Sequence, residues 1–388
     1  MVMKNFFYDI GTKIYFGEGE VKNLGPAIKP YSDKVLLCYG GGSVKKTGVY
    51  DDVVNSLKAS GIEWVELSGI EPNPRVTSVN EGVRLCREHN ITAVLAVGGG
   101  STIDCSKVIA AGVAYEGDAW DLVIGKASIT KVLPVFSVLT LSATGSEMDP
   151  TAVISNMDTN DKLGVKHPDM RPVASILDPK YTYTVSKYQT AAGTADIMSH
   201  IFEIYFSTVK SAYIADRMAE AMLKTCINYG VVAVNDPENY EARANLMWCS
   251  SLAINNLLSY GKGTAWSVHS MEHQLSAYYD ITHGVGLAIL TPHWMRYVLN
   301  EETVDKFVEY AKNVWDIDCD GDKFAAANKA IDKTAEYFKA MGIPMTLTEV
   351  GIDETHFDIM AEKAAAKYAN IFVPLTKEDV KNIYRMSL

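Results

Sequence analysis

Through the first 180 residues, short uninterrupted apolar runs alternate with segments whose apolar positions repeat at helical spacing. KVLLCYG (34–40) reads as a buried strand, and VYDDVVNSLKASG (49–61) as a helix closed by glycine. WVELSGI (64–70) reads as a second strand, and VTSVNEGVRLCREHN (76–90) as an amphipathic helix. ITAVLAVGGG (91–100) is a third strand, STIDCSKVIAAGVAY (101–115) a helix opening directly after it, and VLPVFSVLTL (132–141) a fourth strand. This rhythm implies a parallel sheet with helices on its faces. After TAVISN (151–156) and ASILDP (174–179) the pattern changes. From about residue 185 the spacing is helical, and Ser186 and Gln189 stand at capping-box spacing ahead of a long helix. The chain therefore divides near 180, into an α/β domain over 1–180 and an all-α domain over 181–388.

Composition narrows the function classes. A chain of 388 residues with 48% hydrophobic content has enough apolar material for real cores. The net charge of −11 argues against nucleic acid as a partner. No stretch of about 18 uninterrupted apolar residues is present, so no membrane span is expected. The N-terminus lacks the apolar run of a signal peptide. The six cysteines are scattered without a CxxC pair, which argues for reduced thiols in a cytoplasm and against a thiolate zinc site.

Three glycine or hydroxyl turns follow predicted strands. Gly98, Gly99, Gly100 and Ser101 end one strand and begin a helix, where outward backbone N–H groups and the helix dipole favour an anion such as a pyrophosphate. Ser101 can cap that helix or donate to phosphate. The spacing is not GxGxxG, and the same residues also serve a tight turn without any ligand. Thr140, Leu141, Ser142, Ala143, Thr144, Gly145, Ser146 and Glu147 form a second turn, whose hydroxyls suit phosphate or ribose or simply bond their own backbone. Gly40, Gly41, Gly42 and Ser43 form the third, followed by Lys45 and Lys46. NAD-selective sites often carry an acid for the ribose 2′-OH. None stands in this turn, and a hydroxyl with two lysines suits a 2′-phosphate, so NADP(H) is expected, although Lys45 and Lys46 also read simply as a solvated face.

Five residues of the second half suggest a metal. Asp196 and His200 are four apart, as are His269 and His273, and His283 follows. Spacing of four puts side chains on one helix face. Each histidine alone is most simply a hydrogen-bonded core residue. Four of the chain's eight histidines in this one set, with an aspartate, point to a site for Fe(II), Zn(II), Mn(II) or Co(II). Spacing does not separate ligand from neighbour among them. His89, His167, His293 and His356 lack such partners.

The combination resembles the iron-containing (group III) alcohol dehydrogenase family. VGGGSTIDCSKVIA, LTLSATGSEMDPTAVISN, ILDPKYTYT, AAGTADIMSHIFE and HSMEHQLSAYYDITHGVGLAI carry the resemblance, with YGGGSVKKTG and GIEPNPR. They run from residue 39 to about 290 in the family's order. YGGGSVKKTG is similar to the NADPH-dependent butanol dehydrogenase or aldehyde reductase branch. The resemblance implies a Rossmann-like dinucleotide-binding domain followed by an all-α metal-binding catalytic domain, the dehydroquinate synthase-like fold. It implies Asp196, His200, His269 and His283 as metal ligands, iron before zinc, and His273 as a nearby group that binds substrate or relays a proton. It implies a cofactor groove of Gly41, Gly42, Ser43, Lys45, Asn73, Gly98, Gly99, Gly100, Ser101, Asp104, Thr140, Leu141, Thr144 and Lys162. A role for Asp149 is left open. A homodimer is a further expectation from the family.

The implied reaction is reversible hydride transfer between NADP(H) and a primary alcohol/aldehyde pair such as butanol and butanal. A glycerol- or lactaldehyde-type polyol dehydrogenase is the nearest alternative. A dehydroquinate synthase-like lyase would need a basic cluster near the metal motifs, and none is evident. A metal hydrolase leaves the two phosphate-type turns unexplained.

Overall fold

The computed structural model describes residues 3–264, 266–365 and 372–388. Among the described residues there are eight strands: β1 (Lys13–Phe16), β2 (Lys34–Tyr39), β3 (Glu63–Leu67), β4 (Ala93–Gly98), β5 (Val135–Leu139), β6 (Thr151–Asn156), β7 (Asp161–Lys166) and β8 (Ala174–Leu177). The helices of the first half are α1 (Leu24–Ile28), α2 (Ser43–Lys46), α3 (Val49–Ala59), α4 (Val76–Glu88), α5 (Gly100–Gly112) and α6 (Trp120–Val123). Those of the second half are α7 (Lys187–Tyr205), α8 (Tyr213–Asn235), α9 (Tyr240–Ile254), α10 (Ser267–Tyr279), α11 (His283–Val298), α12 (Val304–Trp315), α13 (Lys323–Ala340), α14 (Phe357–Ala365) and α15 (Lys377–Met386). No described helix is long and apolar enough to cross a membrane.

Six strands form one parallel sheet in the order β1-β8-β5-β4-β2-β3. Alternation along the strands fills both faces, as a doubly covered parallel sheet requires. Leu36 and Cys38 of β2 pack with Val79 and Val83 of α4 and Val108 and Ile109 of α5. Val35 and Leu37 of the same strand pack with Leu24 and Ile28 of α1 and Val53 and Leu57 of α3. Strand order reverses at β2, which has β3 on one side and β4 on the other. In such sheets the crevice beyond the strands' carboxyl ends is the usual ligand position. The three turns of interest leave β2, β4 and β5 at that edge.

Two elements were not legible in the apolar pattern. β1 is a four-residue strand beside β8, and β6 and β7 form an antiparallel hairpin outside the main sheet. The hairpin holds the EPNP loop: Ser155 N donates to Pro74 O at 2.9 Å, and Ser155 pairs with Lys162 across the hairpin.

The chain forms two compact units, one of residues 9–185 with 237–255, the other of residues 1–8, 186–236 and 256–388. Helix α9 joins the α/β unit because Met247 packs into a cluster with Ala96, Ile103, Leu139 and Leu177. Ser251 Oγ also donates to the buried Glu147 carboxylate at 2.5 Å. The N-terminal segment joins the helical unit, where Lys4 N donates to Gly261 O at 2.8 Å.

In the helical unit, α7 is buried along almost its whole length from Thr190. Such a helix is a core element rather than a surface one. Its start is fixed by Ser186, whose side chain accepts from Gln189 N, as the capping spacing predicts. Phe202, Tyr205 and Phe206 at its end meet Tyr310 of α12 ring to ring.

Candidate functional site

In the α/β unit the turns after β4 and β5 lie directly on each other. A β-carbon on Gly100 would meet Thr144 Oγ1 at 2.2 Å, and one on Gly99 would meet Leu141 Cβ at 3.2 Å. Gly99 is the N-cap of α5. Ser101, expected as a possible cap, sits inside the first turn instead, because the helix begins one residue earlier at Gly100. The first N–H groups of α5 are thus presented at a glycine surface, which suits an anion.

Asp104 is one turn further into α5 and is already engaged. Its carboxylate accepts from Ser146 Oγ at 2.5 Å and from Val153 N at 2.8 Å. Burial pushes its pKa up to about 6, against the pull of Lys107, Ser146 and Val153 N. Lys107 is fully buried and donates to Ser146 Oγ and to Thr151 O, each at 2.7 Å. Asp104 and Lys107 therefore shape the hydroxyl turn through Ser146. Asp149 accepts from Thr151 N at 2.8 Å in the same network. Asn73 and Lys162 are both buried, in the EPNP loop and on β7, with the loop bonded to the hairpin as described.

The turn after β2 differs from its sequence reading in one respect. Around Gly41 and Gly42 an added β-carbon meets nothing within 4 Å, and Gly42 has φ 94°, a conformation that favours glycine. Ser43 and Lys45 follow on an exposed turn of helix. An acid does stand beside it, supplied by the neighbouring strand. Glu66 of β3 accepts from Lys45 Nζ at 2.9 Å, from Tyr39 Oη at 2.5 Å and from the Tyr50 hydroxyl. Against the cost of partial burial, these three donors hold Glu66 down at about 2. Sequence spacing could not reveal it, because β2 and β3 become neighbours only through the sheet.

In the helical unit, three of the five predicted residues converge on a carboxylate oxygen of a fourth, Asp196. Asp196 Oδ1 lies 3.5 Å from His200 Nε2, 3.7 Å from His283 Nε2 and 3.9 Å from His269 Nε2. Helix α7 sets Asp196 and His200 one turn apart on one face. The start of α11 is pressed onto α7 at Gly284, which delivers His283. The rings of His200 and His269 stack with centroids 4.8 Å apart. His273 lies beside this group, its ring 5.7 Å from that of His283 and 6.4 Å from that of His269.

The arrangement fits a divalent ion. Asp196 Oδ1 and His269 Nε2 are buried and have no hydrogen-bond partner among the described residues, a rare and costly condition unless something else satisfies them. Tetrahedral bonds of about 2.0–2.2 Å would set donor atoms about 3.4 Å apart, close to the observed spacings. Burial, reinforced by the neighbouring His269 and His283 against the pull of Asp196, pushes His200 down to about 3. Neutral imidazoles with a carboxylate are the ligand set a borderline metal takes. Ligand atoms of Glu272, His273 and His283 also lie within 4.8 Å of one another. There Nδ1 of His283 is already hydrogen-bonded to Glu272, which leaves its Nε2 for the Asp196 group.

Two further residues at this centre escaped the sequence reading. Glu203 bonds the His269 ring and Glu272 bonds the His283 ring. Their signal was present: each acid follows a histidine of the set by three, Glu203 after His200 and Glu272 after His269. None of the six cysteines is in a disulfide.

The chain is similar to known proteins along nearly its whole length. The chain is 58% identical to NADH-dependent butanol dehydrogenase A of Clostridium acetobutylicum, over 99% of this chain and 100% of that protein. It is 39% identical to the NADPH-dependent aldehyde reductase YqhD of Escherichia coli, over 93% of each. The crystal structure of NADH-dependent butanol dehydrogenase A from Thermotoga maritima superposes with a TM-score of 0.95 at 41% identity, covering 100% of this chain and 99% of that one. Residues 11–179 match the model of the iron-containing alcohol dehydrogenases, and residues 190–388 match the C-terminal model of the same family. With both halves matched and the imidazole–carboxylate cluster assembled on α7, α10 and α11, the chain belongs to the iron-containing alcohol dehydrogenase family.

Proposed function

We propose that this protein interconverts a primary alcohol and its aldehyde, of the butanol/butanal type, by hydride transfer to and from a nicotinamide dinucleotide. The convergence of three imidazole Nε2 atoms on the buried Asp196 oxygen, which has no hydrogen-bond partner among the described residues, carries the reading. Asp196, His200, His269 and His283 would hold Fe(II), or Zn(II), which the same donors suit. When bound, the ion supplies Lewis acidity for a carbonyl group, and the nicotinamide supplies or accepts the hydride. Gly98 to Ser101 and the first turn of α5 would take the pyrophosphate. Thr140, Leu141 and Thr144 would border it, while Asn73 and Lys162 would line the groove. Asp104 would act at one remove, by holding Ser146 and the hydroxyl turn. His273 would bind the substrate oxygen or move a proton between it and solvent.

For the cofactor we propose NADH over NADPH. The expectation of NADP(H) rested on Ser43, two lysines and the absence of an acid. Lys45 is bound to Glu66, so the positive charge offered to a 2′-phosphate is offset by a neighbouring carboxylate. An acid at this edge also suits a ribose 2′-OH. The relative at 58% identity is named for NADH, whereas the one named for NADPH is at 39%.

The test is butanal reduction followed at the reduced-nicotinamide absorbance band, with metal-stripped protein reloaded with Fe(II) or Zn(II). Metal-dependent oxidation of NADH, faster than that of NADPH, is expected. Faster turnover of a diol or glycerol than of butanol in the reverse direction would move the substrate class to polyols. No oxidation of either cofactor across several aldehydes and both metals would overturn the reading.

A further inference from the structure

Two buried carboxylates lie just outside the cluster, and neither is among the four residues read as ligands. Glu203, on α7, is 2% exposed. One of its oxygens accepts from Ser267 N at 2.8 Å, and the other from Val268 N at 2.7 Å and His269 N at 3.0 Å. That second oxygen also lies 3.2 Å from His269 Nδ1. Glu272, on α10, is fully buried and bonds His283 Nδ1 and the Ser276 hydroxyl. Space is kept for it: a β-carbon on Gly286 would stand 2.9 Å from Glu272 Cγ.

The distribution of these acids follows a rule. His200 shares a helix with Asp196, four residues on, so α7 itself aims its ring. Its Nδ1 has no hydrogen-bond partner among the described residues. His269 and His283 come from other helices, and each has a carboxylate on Nδ1. A hydrogen bond on one ring nitrogen fixes the tautomer and turns the other nitrogen toward a metal. Both Nε2 atoms indeed face Asp196. Glu203 also caps the start of α10 directly after Trp266, whose φ of 53° is an unusual one for a bulky residue. Such a conformation persists where surrounding bonds over-determine it.

We infer that Glu203 and Glu272 are positioning residues of the metal centre, which aim His269 and His283 and raise the affinity for the ion by adding two negative charges one imidazole away. The inference rests on the proposed ligand set. It assigns the site three carboxylates, one reserved for direct contact and two for orientation.

The test measures Zn(II) affinity of the metal-stripped, full-length protein by chelator competition, with Co(II) absorption as a probe of the coordination sphere. Glu272→Ala removes bond and charge together, and a loss of about 10–100-fold in affinity is expected, the usual range for such partners. Glu272→Gln keeps an acceptor for His283 and a donor for Ser276 while removing the charge, so a smaller loss is expected. Glu203→Gln should weaken Zn(II) binding too, and should also lower the melting temperature of the metal-free protein, because one of its two oxygens no longer accepts from α10. A folded Glu272→Ala protein with parental Zn(II) affinity and an unchanged Co(II) spectrum would overturn the inference and leave the ligand set standing. A parent protein that binds no Zn(II) would sink the ligand set and this inference together.

Discussion

The carbonyl of Ala192 occupies the place that a side chain on Gly284 would need. A β-carbon built on Gly284 falls 1.9 Å from Ala192 O and 2.6 Å from its carbonyl carbon. Neither is the end of a flexible side chain, so α11 or α7 would have to move. Ala192 is one turn before Asp196, and Gly284 is next to His283, so the contact sets the separation of two proposed ligands. Gly284→Ala should therefore cost about 1–3 kcal/mol of stability, the range for overpacking, and weaken metal binding at the same time. Thermal melts with and without Zn(II) read both. A variant of parental stability and affinity would show that the contact does not position His283.

His269 and His273 lie four apart on α10, yet only one faces the Asp196 oxygen. His269→Ala should abolish both metal binding and turnover. His273→Ala should keep one metal per chain and lower kcat by about a hundredfold or more, the lower range for a lost acid–base group. Metal analysis beside steady-state kinetics separates the two. Loss of metal from the His273 variant would move that residue into the ligand set.

Glu66 and Lys45 make the cofactor reading mutable. Glu66 is held ionised down to about 2, so it opposes a 2′-phosphate at every working pH. Glu66→Gln should release Lys45 and raise the ratio of kcat/KM for NADPH to that for NADH by about tenfold, equivalent to ~1.4 kcal/mol of differential binding. An unchanged ratio would mean that this edge does not set cofactor choice.

What the sequence made legible follows from what is local. Strands β2, β4 and β5 are buried on both faces, so they read as continuous apolar runs such as KVLLCY and AVLAVG. The pairs Asp196/His200 and His269/His273, part of the candidate metal cluster, were legible because i, i+4 spacing is a property of one helix. The hairpin β6–β7 was not, since DKLGVK pairs with TAVISN outside the core sheet and carries mixed polarity. Glu66 was missed because its partners lie on another strand and helix. Glu203 and Glu272 were missed because a buried acid reads as a surface one until its environment is known. The return of α9 to the α/β unit depends on Met247 and Ser251, which no periodicity distinguishes from other helical positions.

The pair Asp104 and Lys107 gives a pH signature. In the unfolded chain an aspartate titrates near 3.9, whereas burial raises Asp104 to about 6 in the fold. Between those values the folded state binds more protons than the unfolded one, so the contribution of Asp104 is greatest below about 4. It falls as pH rises through 6. The size is up to roughly 3 kcal/mol at 1.36 kcal/mol for each pH unit. Exposed acids such as Glu349, lowered by the backbone N–H groups of Met345 and Thr346, contribute with the opposite sign. The comparison that isolates Asp104 is therefore the difference between the parent and Asp104→Asn. Denaturant unfolding at pH 4, 5, 6 and 7 should show that difference shifting toward the variant as pH rises to 6, then levelling off. A difference independent of pH would mean that Asp104 is ionised throughout, held by Lys107, and that its burial carries no pH-dependent cost.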